Sequence, residues 1–349
     1  MSEIHSHSKP ELRQASTPLN RTFSVAPMLD WTDRYCRGFH RLLTKNTLLY
    51  TEMVTTGALI HGDVQRHLQY AEAEHPIALQ LGGSDPAHLA QCSELAQQYG
   101  YDEVNLNVGC PSDRVQSGSF GACLMAEPKI VAEGCKAMIG ATDIPITVKC
   151  RIGIDEQDDY QDLQRFVESV AGAGVTTFIV HARKAWLKGL SPKQNRDIPP
   201  LNYERVYLLK REFPELEIII NGGIHSLAET QQHLQHVDGV MMGRAAYQHP
   251  HILRTVDQVI FGESTPAISE AELIEQLCAY IDHYMGQGAQ LKYLTRHIVG
   301  LFQNRPGARQ WRRYLSENAY RADANVDVVR EAAAFIADLS YDTGIVSES

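Results

Sequence analysis

Long hydrophobic runs are missing from this sequence, and none approaches the roughly 20 apolar residues that a transmembrane helix needs. The first twenty residues are polar and have no apolar core, which excludes a secretory signal. We predict a disordered tail over residues 1–20. None of the seven cysteines stands in a Cys-x-x-Cys pair, so neither a metal site nor a disulfide framework is indicated. We expect a cytoplasmic protein without membrane or metal contacts.

The sequence also has fewer basic than acidic residues, with 32 Lys and Arg against 42 Asp and Glu. The net charge of −10 argues against a protein that coats nucleic acid through general positive charge. Hydrophobic residues at 44% and a length of 349 residues fit a soluble barrel with a smaller appended domain. No protein partner is indicated, and we expect a monomer.

Eight short apolar or β-branched runs alternate with segments long enough for a helix. They are Phe23–Met28, Leu48–Met53, Ile77–Leu81, Glu103–Asn107, Ile144–Lys149, Thr177–His181, Glu217–Asn221 and Gly239–Met242. Alternating β and α units imply parallel strands and a (β/α)8 TIM barrel, which we place at residues 21–265. A doubly wound sheet is the alternative, but no Gly-x-Gly-x-x-Gly follows the first strand and that sheet needs no eighth strand.

The C-terminal part has a different pattern, with helix-compatible segments and no strands between them. The segments are Ala271–Tyr284, Gln290–Phe302, Gln310–Ala319 and Val326–Leu339. We therefore predict a small all-helical domain over residues 266–349, joined to the barrel near Gly262 to Pro266.

Polar or charged residues stand at the ends of nearly all eight strands, where a barrel of this class builds its active site. These positions are Pro27-Met28, Glu52, Gln80, Asn107 with Cys110, Lys149 with Arg151, His181 with Arg183, Asn221-Gly222-Gly223, and Gly243-Arg244. The last two loops predict a phosphate site, because glycines allow close backbone approach and an arginine supplies a forked donor. Tight turns alone are the alternative explanation for these glycines.

Three of these side chains suit an anionic or heterocyclic ligand. A charged Lys149 at the barrel mouth is costly to bury unless an anionic group lies beside it, which predicts an anionic ligand. The alternative is a lysine whose side chain extends to solvent. Gln80 donates and accepts hydrogen bonds, which suits the edge of an isoalloxazine ring. His181 is a stronger candidate for ligand binding because Arg183 lies beside it. The alternative is a histidine whose hydrogen bonds are all made within the protein core, as is common at such positions.

The segment Asn105-Leu106-Asn107-Val108-Gly109-Cys110-Pro111-Ser112 holds a thiol on a tight turn after a strand. A cysteine at this position can react with a ligand at the barrel mouth. The alternative is a buried cysteine that does not react. Cys123 lies between Ala122 and Leu124, and we predict a structural role for it.

The motifs taken together closely resemble those of the tRNA-dihydrouridine synthases, and within that family the A-type enzymes. The matching segments are Ser24 to Asp33, Leu79 to Gly83, Asn105 to Ser112, Gly121 to Met125, Val148 to Arg151, His181 to Lys184, Asn221 to Ile224, and Gly243-Arg244. The match covers Phe23 to about Ala319.

The resemblance implies an FMN-containing barrel that reduces a tRNA D-loop uridine around position 20, with NADPH as the electron source. It implies that Pro27, Met28, Gln80, Lys149 and His181 hold the flavin ring, while Asn221, Gly222, Gly223, Gly243 and Arg244 hold its phosphate. It further implies that Cys110 is the proton donor and that Asn107, Lys149 and Arg151 face the uracil. A hydride then adds to C6, and Cys110 protonates C5.

Basic residues are concentrated in two tracts that contain no acid. The first holds Arg183, Lys184, Lys188, Lys193 and Arg196, and the second holds Lys292, Arg296, Arg305, Arg309, Arg312 and Arg313. We predict that these tracts bind tRNA, chiefly through Arg183, Lys184, Arg309 and Arg312, with Trp186, Tyr293 and Trp311 as candidates for base stacking. A solvated charged face, and core packing for each aromatic ring, are the alternatives.

Two other functions remain open at this point. An FMN barrel acting on a free pyrimidine or another small enone, similar to dihydroorotate dehydrogenases, explains the flavin set but not the basic helical domain. The second alternative is an RNA-binding or RNA-folding factor whose catalytic residues no longer function. The presence of Cys110, Lys149 and Arg244 argues against it.

Overall fold

Eight parallel strands close into a barrel in a computed structural model that describes residues 18–112, 118 and 120–337. Each strand pairs with its neighbour in the chain, and the eighth pairs with the first. The strands are β1 Phe23–Val25, β2 Leu48–Thr55, β3 Ile77–Gly82, β4 Glu103–Val108, β5 Ile146–Arg151, β6 Thr177–His181, β7 Glu217–Asn221 and β8 Gly239–Met242. The predicted TIM barrel is confirmed. Of the predicted tail, residues 1–17 lie outside the described residues.

Two strand ends differ from the prediction in a way that affects the mouth of the barrel. Strand β1 ends at Val25 rather than Met28, because the Met28 carbonyl accepts the amides of Trp31 and Thr32 in a turn. Strand β5 continues to Arg151, so Lys149 lies within the strand and not at its end.

Helices cover the outside of the barrel between the strands. They are α1 Arg34–Leu43, α2 Thr56–His61, α3 Val64–Leu68, α4 Pro86–Gln98, α5 Pro128–Ala141, α6 Tyr160–Ala171, α7 Gln194–Asp197, α8 Tyr203–Glu212, α9 Leu227–His233, α10 Arg244–Gln248 and α11 Val256–Val259. Short 3-10 helices occupy Glu72–Glu74, Gly121–Ala126 and Pro250–Thr255. Asp85 shows how local sequence starts such a helix, since its side chain accepts the His88 amide and Pro86 takes the first helical turn of α4.

Each strand separates two cores by alternating its side chains. Outward residues such as Val104, Leu106 and Val108 join the large core beneath the helices. A smaller cluster fills the barrel interior and consists of Ala26, Leu48, Tyr50, Ala78, Ile179, Ile219 and Met241. Inward positions of β3, β4 and β5 are mainly polar, and these polar side chains lead up to the mouth of the barrel.

The C-terminal segment is helical, as predicted, with α12 Glu270–Gly286, α13 Leu291–Thr295, α14 Ala308–Asn318 and α15 Asp327–Ala333. The single helix predicted over Gln290–Phe302 is wrong, because α13 ends at Thr295 and tighter turns follow. Gly300 lies within these turns, where a Cβ would be 2.2 Å from the carbonyl oxygen of Gln248 on the barrel side. The last predicted helix ends early as well, and residues 338–349 lie outside the described residues.

Candidate active site

A cavity of about 1630 Å³ opens at the carboxyl ends of the barrel strands. It brings together the residues predicted at the strand ends, with the exception of Arg183, which does not line it. Those that line it are Pro27, Met28, Glu52, Gln80, Asn107, Cys110, Lys149, Arg151, His181, Asn221, Gly222, Gly223, Gly243 and Arg244. Residues from all eight strands and their loops thus converge on one space that is large enough for a cofactor and part of a substrate.

The Cys110 turn is held by the side chain of Asn107. Its Oδ1 accepts the backbone amides of Gly109 at 3.1 Å and Cys110 at 3.0 Å, and its Nδ2 donates to Gln80 at 2.9 Å. Asn107 was predicted to face the uracil. The structure instead gives its oxygen to the turn, so its contribution to the cavity is one remaining N–H.

The two nearby cysteines differ in their environment. Cys110 is half-buried, lines the cavity and lies 3.7 Å from the Ser112 hydroxyl. The Cys123 thiol donates to the carbonyl of Phe120 at 3.1 Å, and burial raises its pKa. Cys110 is therefore the thiol available to a ligand in this cavity, which supports the structural role predicted for Cys123.

Lys149 reaches into the cavity from β5, and its amine bonds to Asn221 Oδ1 at 3.0 Å. Burial, followed by the neighbouring charge of Arg151, lowers the pKa of Lys149 to about 8. Asn221 was predicted to hold a phosphate, but its amide also donates to the Met241 carbonyl at 2.7 Å. The Asn221 side chain therefore orients Lys149 inside the barrel.

Arg151 is 4% exposed and lies beneath the Cys110 turn. Its Nε donates to the Gly109 carbonyl at 2.8 Å, and one terminal nitrogen donates to the carbonyls of Arg183, Lys184 and Asn195. These four bonds tie the loop after β4 to the connection that follows β6, and Arg151 also lines the cavity, so that its contact with the uracil stays a prediction.

His181 lies at the end of β6 beside Gly222. Burial, with the nearby charges of Arg151 and Lys149, moves its pKa well below the usual value, so the ring is neutral. Its Nδ1 accepts the Arg183 amide at 3.3 Å, which leaves the proton on Nε2. His181 thus presents a neutral N–H donor.

The loops after β7 and β8 have the backbone features expected of a phosphate site. Gly222 and Gly223 have positive φ angles of 110° and 71°, which favour glycine. A Cβ on Gly223 would also lie 2.5 Å from Leu201, whereas Gly243 has only the Ala26 Cβ nearby, at 3.8 Å. Arg244 is half-exposed and forms an ion pair with Asp197 at 2.8 Å. This ion pair orients the guanidinium before an anion binds to the two loops.

Comparison with known proteins identifies the family of this chain. A sequence model of the family described as dihydrouridine synthase (Dus) matches residues 24–337. The chain belongs to the dihydrouridine synthase family. The tRNA-dihydrouridine(20/20a) synthase of Yersinia pestis is 59% identical over 344 residues, which cover 98% of this chain and 99% of that protein. The enzyme of the same name from Escherichia coli K12 is 61% identical over 317 residues, covering 90% and 92% of the two chains. The predicted family is confirmed.

The first basic tract of this dihydrouridine synthase is divided between residues bonded within the protein and exposed ones. Lys184 pairs with Asp158 at 2.9 Å and lies 4.2 Å from the ring centre of Trp186. Arg183 donates to the carbonyl of Pro199. Lys188, Lys193 and Arg196 are exposed, and of these three Arg196 lines the cavity. Arg183 and Lys184 therefore stabilise the β6 loop, and the other three carry the exposed charge of the tract.

The second basic tract keeps two arginines available. Arg309 and Arg312 are exposed and form no ion pair or hydrogen bond with the described residues. They line a shallow depression of about 570 Å³ with Gln303, Asn304, Arg305, Pro306 and Ala308. Trp311 is fully buried against Phe302, so its predicted base stacking is wrong, whereas Tyr293 is 47% exposed and also lines the mouth cavity.

Sequence reasoning missed a polar cluster at the cavity rim. Asp33 pairs with Arg296 and with His297, and the ring of Trp31 stacks on Tyr247 at 4.3 Å. The Asp33 side chain also caps α1 by accepting the Cys36 amide. The cap was readable from the sequence, but its partners lie more than 260 positions away and left no local signal.

Within residues 18–112, 118 and 120–337, no group of three or more His, Cys, Asp or Glu side chains could hold a metal ion. Among the same residues, no helix has the length and apolar character required to cross a membrane.

Proposed function

We propose that this protein is an FMN-dependent enzyme that reduces a D-loop uridine of tRNA, around position 20, to dihydrouridine with electrons from NADPH. The observation that carries the proposal is one cavity in which Cys110, Lys149 and His181 converge above the polar floor of the barrel. The relatives named tRNA-dihydrouridine(20/20a) synthase support the substrate class and the position. NADPH rests on the family resemblance alone.

The residues present fit FMN in both charge and space. Pro27, Met28, Gln80, Lys149 and His181 would hold the ring, with the lysine amine and the neutral His181 N–H as donors to its polar edge. The backbone of Gly222, Gly223 and Gly243, with Arg244, would hold the phosphate. Two glycines at positive φ and open space at the third allow the close backbone approach that a phosphate needs.

Bound and reduced FMN supplies the hydride that adds to C6 of the uracil. Negative charge then develops toward C5 and O4, because the double bond is conjugated to the C4 carbonyl. The ammonium group of Lys149, oriented by Asn221, would stabilise this charge in a site of low dielectric. The neutral thiol of Cys110 would give its proton to C5, and the thiolate left behind regains a proton from water.

A uridine within folded tRNA must leave its stack to reach this cavity, at a cost of a few kcal/mol. Phosphate contacts compensate for such a cost. We propose that Arg309, Arg312 and Arg196 provide them, because these arginines are exposed, whereas Arg183 and Lys184 act through the β6 loop that they stabilise. The free state of all seven cysteines supports the proposed cytoplasmic location.

The test separates the two halves of the reaction in a Cys110→Ala variant. We expect this variant to bind FMN and to be reduced by NADPH as the wild type is. Reoxidation of the flavin by tRNA should slow by about 100-fold or more, since the general acid is gone. Stopped-flow absorbance of the flavin and the dihydrouridine content of the tRNA measure both steps.

Cys123→Ala is the matched control, because it removes the neighbouring thiol that bonds to Phe120 instead of lining the cavity. It should reduce tRNA at close to the wild-type rate. Formation of dihydrouridine by Cys110→Ala at the wild-type rate would exclude Cys110 as the proton donor. A wild-type protein that purifies without flavin, or whose flavin free uridine reoxidises as fast as tRNA does, would exclude the proposed function itself.

A further inference from the structure

A continuous series of side-chain hydrogen bonds runs through the barrel from its floor to the Cys110 turn. We refer to it as the barrel chain. From the floor upward it consists of Glu103, Thr147, Asn105, Gln80 and Asn107. The proposed function uses only Gln80, and Glu103, Thr147 and Asn105 are each 0% exposed, so they touch neither solvent nor a ligand.

The lower end of the barrel chain is a carboxylate held in one position. Glu103 accepts Arg21 Nε at 2.6 Å on one oxygen, and on the other it accepts the Tyr50 hydroxyl at 2.6 Å and the Thr147 hydroxyl at 2.7 Å. Burial and the Glu103 charge keep the pKa of Tyr50 well above its usual value, so its hydroxyl stays a donor. An ionised carboxylate only accepts hydrogen bonds, and therefore the single proton of Thr147 is committed to Glu103.

This commitment determines the orientation of the three amides above. The Thr147 oxygen has to accept, and it does so from Asn105 Nδ2 at 2.9 Å. The Asn105 oxygen then faces Gln80 Nε2 at 2.8 Å, and the Gln80 oxygen faces Asn107 Nδ2 at 2.9 Å. Each amide therefore has its NH2 group on the side of Glu103.

The upper end of the barrel chain requires the same orientation independently. The backbone N–H groups of Gly109 and Cys110 both point at Asn107 and need an acceptor there. If the three amides were reversed, an NH2 group would face these two donors at the top, and a carbonyl would face the occupied oxygen of Thr147 at the floor. Both ends thus disfavour the reversed arrangement, and a buried mismatch of this kind is costly.

We propose that Thr147, acting between Glu103 and Asn105, is a positioning residue that fixes the lower end of the barrel chain, so that the amides of Gln80 and Asn107 hold the Cys110 turn and its thiol in one reactive arrangement. The inference rests on the proposed function, because it concerns the same thiol and the same flavin contact. Thr147 touches no ligand. It acts through a hydroxyl of defined direction, which valine lacks and serine retains.

The experiment compares the Thr147→Val variant with two others. Thr147→Ser keeps the hydroxyl, and Thr177→Val makes the same replacement at the neighbouring position of β6. Thr177 is 4% exposed and bonds to Glu217 at 2.8 Å, so its replacement removes an equivalent buried hydroxyl outside the barrel chain. For FMN-loaded enzyme, we expect Thr147→Val to lower the maximal rate of reoxidation at saturating tRNA about 10-fold, with flavin reduction by NADPH unchanged. Thr147→Ser and Thr177→Val should stay within about two-fold of the wild type.

A second readout needs no substrate. The alkylation rate of Cys110 by iodoacetamide, measured by peptide mass spectrometry, should rise several-fold in Thr147→Val and return to the wild-type value in Thr147→Ser. Melting temperatures should fall by similar amounts in the two valine variants, which separates positioning from simple loss of stability. If Thr147→Val does not fold, Asn105→Leu breaks the barrel chain one step higher and should give the same two changes.

The inference is overturned if Thr147→Val and Thr177→Val behave alike in both readouts, or if serine fails to restore them. A wild-type enzyme that tRNA does not reoxidise would contradict the proposed function instead. In that case the alkylation rates still decide whether the barrel chain holds the thiol.

Discussion

Lys149 shows how one residue serves the site at a cost in stability. Its amine is buried in the apo cavity with the neutral oxygen of Asn221 as its partner, and burial is the first cause that lowers its pKa to about 8. A charged amine without an acid beside it destabilises the folded state and is well suited to an anionic ligand.

Replacing Lys149 should therefore stabilise the FMN-free protein. We expect Lys149→Met to raise the free energy of unfolding at pH 7 by about 1 kcal/mol after allowance for partial exposure, or the melting temperature by about 2 °C. The folded state loses the Lys149 proton near pH 8, whereas the unfolded chain keeps it to about 10.5. Wild-type stability thus rises with pH over that interval, and the advantage of the variant should disappear there.

Thermal melts from pH 7 to 10.5 test this prediction, with Lys210→Met as the matched control. Lys210 pairs with Asp238 at 2.8 Å, so its loss should lower the melting temperature. A Lys149→Met variant that melts below the wild type at pH 7 would contradict the assignment of Lys149 as an uncompensated charge.

At the residue scale, the sequence predicts positions better than it predicts partners. Strand ends in a barrel converge, which is why Cys110, Lys149 and His181 could be placed in one cavity without coordinates. Their hydrogen bonds depend on side chains from distant strands. The sequence therefore did not indicate that Arg151 bonds to carbonyls after β4 and after β6, or that Asn107 holds the Cys110 turn.

At the scale of elements, all eight strands were predictable because each is a short apolar run with a helix-length segment after it. The α13 region was not predictable. Its apolar pattern continues to Phe302, but after Thr295 the backbone forms three-residue turns, such as the bond from the Ile298 amide to the Thr295 carbonyl. Tertiary context can override helix propensity in this way, and the apolar pattern alone does not show it.

Helix α14 allows a test of the proposed tRNA surface on a single element. Arg309 and Arg312 face a depression without an ion-pair partner among the described residues, whereas Arg313 on the same helix pairs with Glu317 at 2.8 Å. We expect Arg309→Glu and Arg312→Glu each to weaken tRNA binding and to lower the slope of log K against log salt by about 1. Fluorescence anisotropy over a range of salt concentrations measures both quantities.

Arg313→Glu changes the charge of the same helix by the same amount, so it is the control for a general electrostatic effect. It should leave the slope nearer to the wild-type value. Equal losses in all three variants would show that net charge, and not this depression, governs binding. Unchanged affinity in Arg309→Glu and Arg312→Glu would remove the depression from the tRNA surface.

At the scale of the whole molecule, the helical segment is attached to the barrel next to the mouth of the cavity. Tyr280 on α12 donates to the carbonyl of Tyr35 on α1 at 3.0 Å. Asp33, just before α1, forms an ion pair with Arg296 at 2.5 Å and lies 3.1 Å from His297 Nε2. Burial alone would raise the pKa of Asp33, but His297 and the Cys36 amide lower it, so this carboxylate is charged at neutral pH. The proposed flavin site lies in the barrel, whereas a bound tRNA would contact both parts.

Weakening this attachment should consequently affect the two half-reactions unequally. Asp33→Asn keeps the cap of α1, since asparagine caps as well as aspartate, but it removes the charge that holds Arg296. We expect flavin reduction by NADPH to be unchanged and reoxidation by tRNA to slow about three-fold, with a flatter dependence on tRNA concentration. Asp323→Asn, which breaks the exposed pair with Arg321, should leave both steps unchanged. Equal slowing of both half-reactions in Asp33→Asn would mean that Asp33 supports the flavin site itself and not the placement of the helical segment.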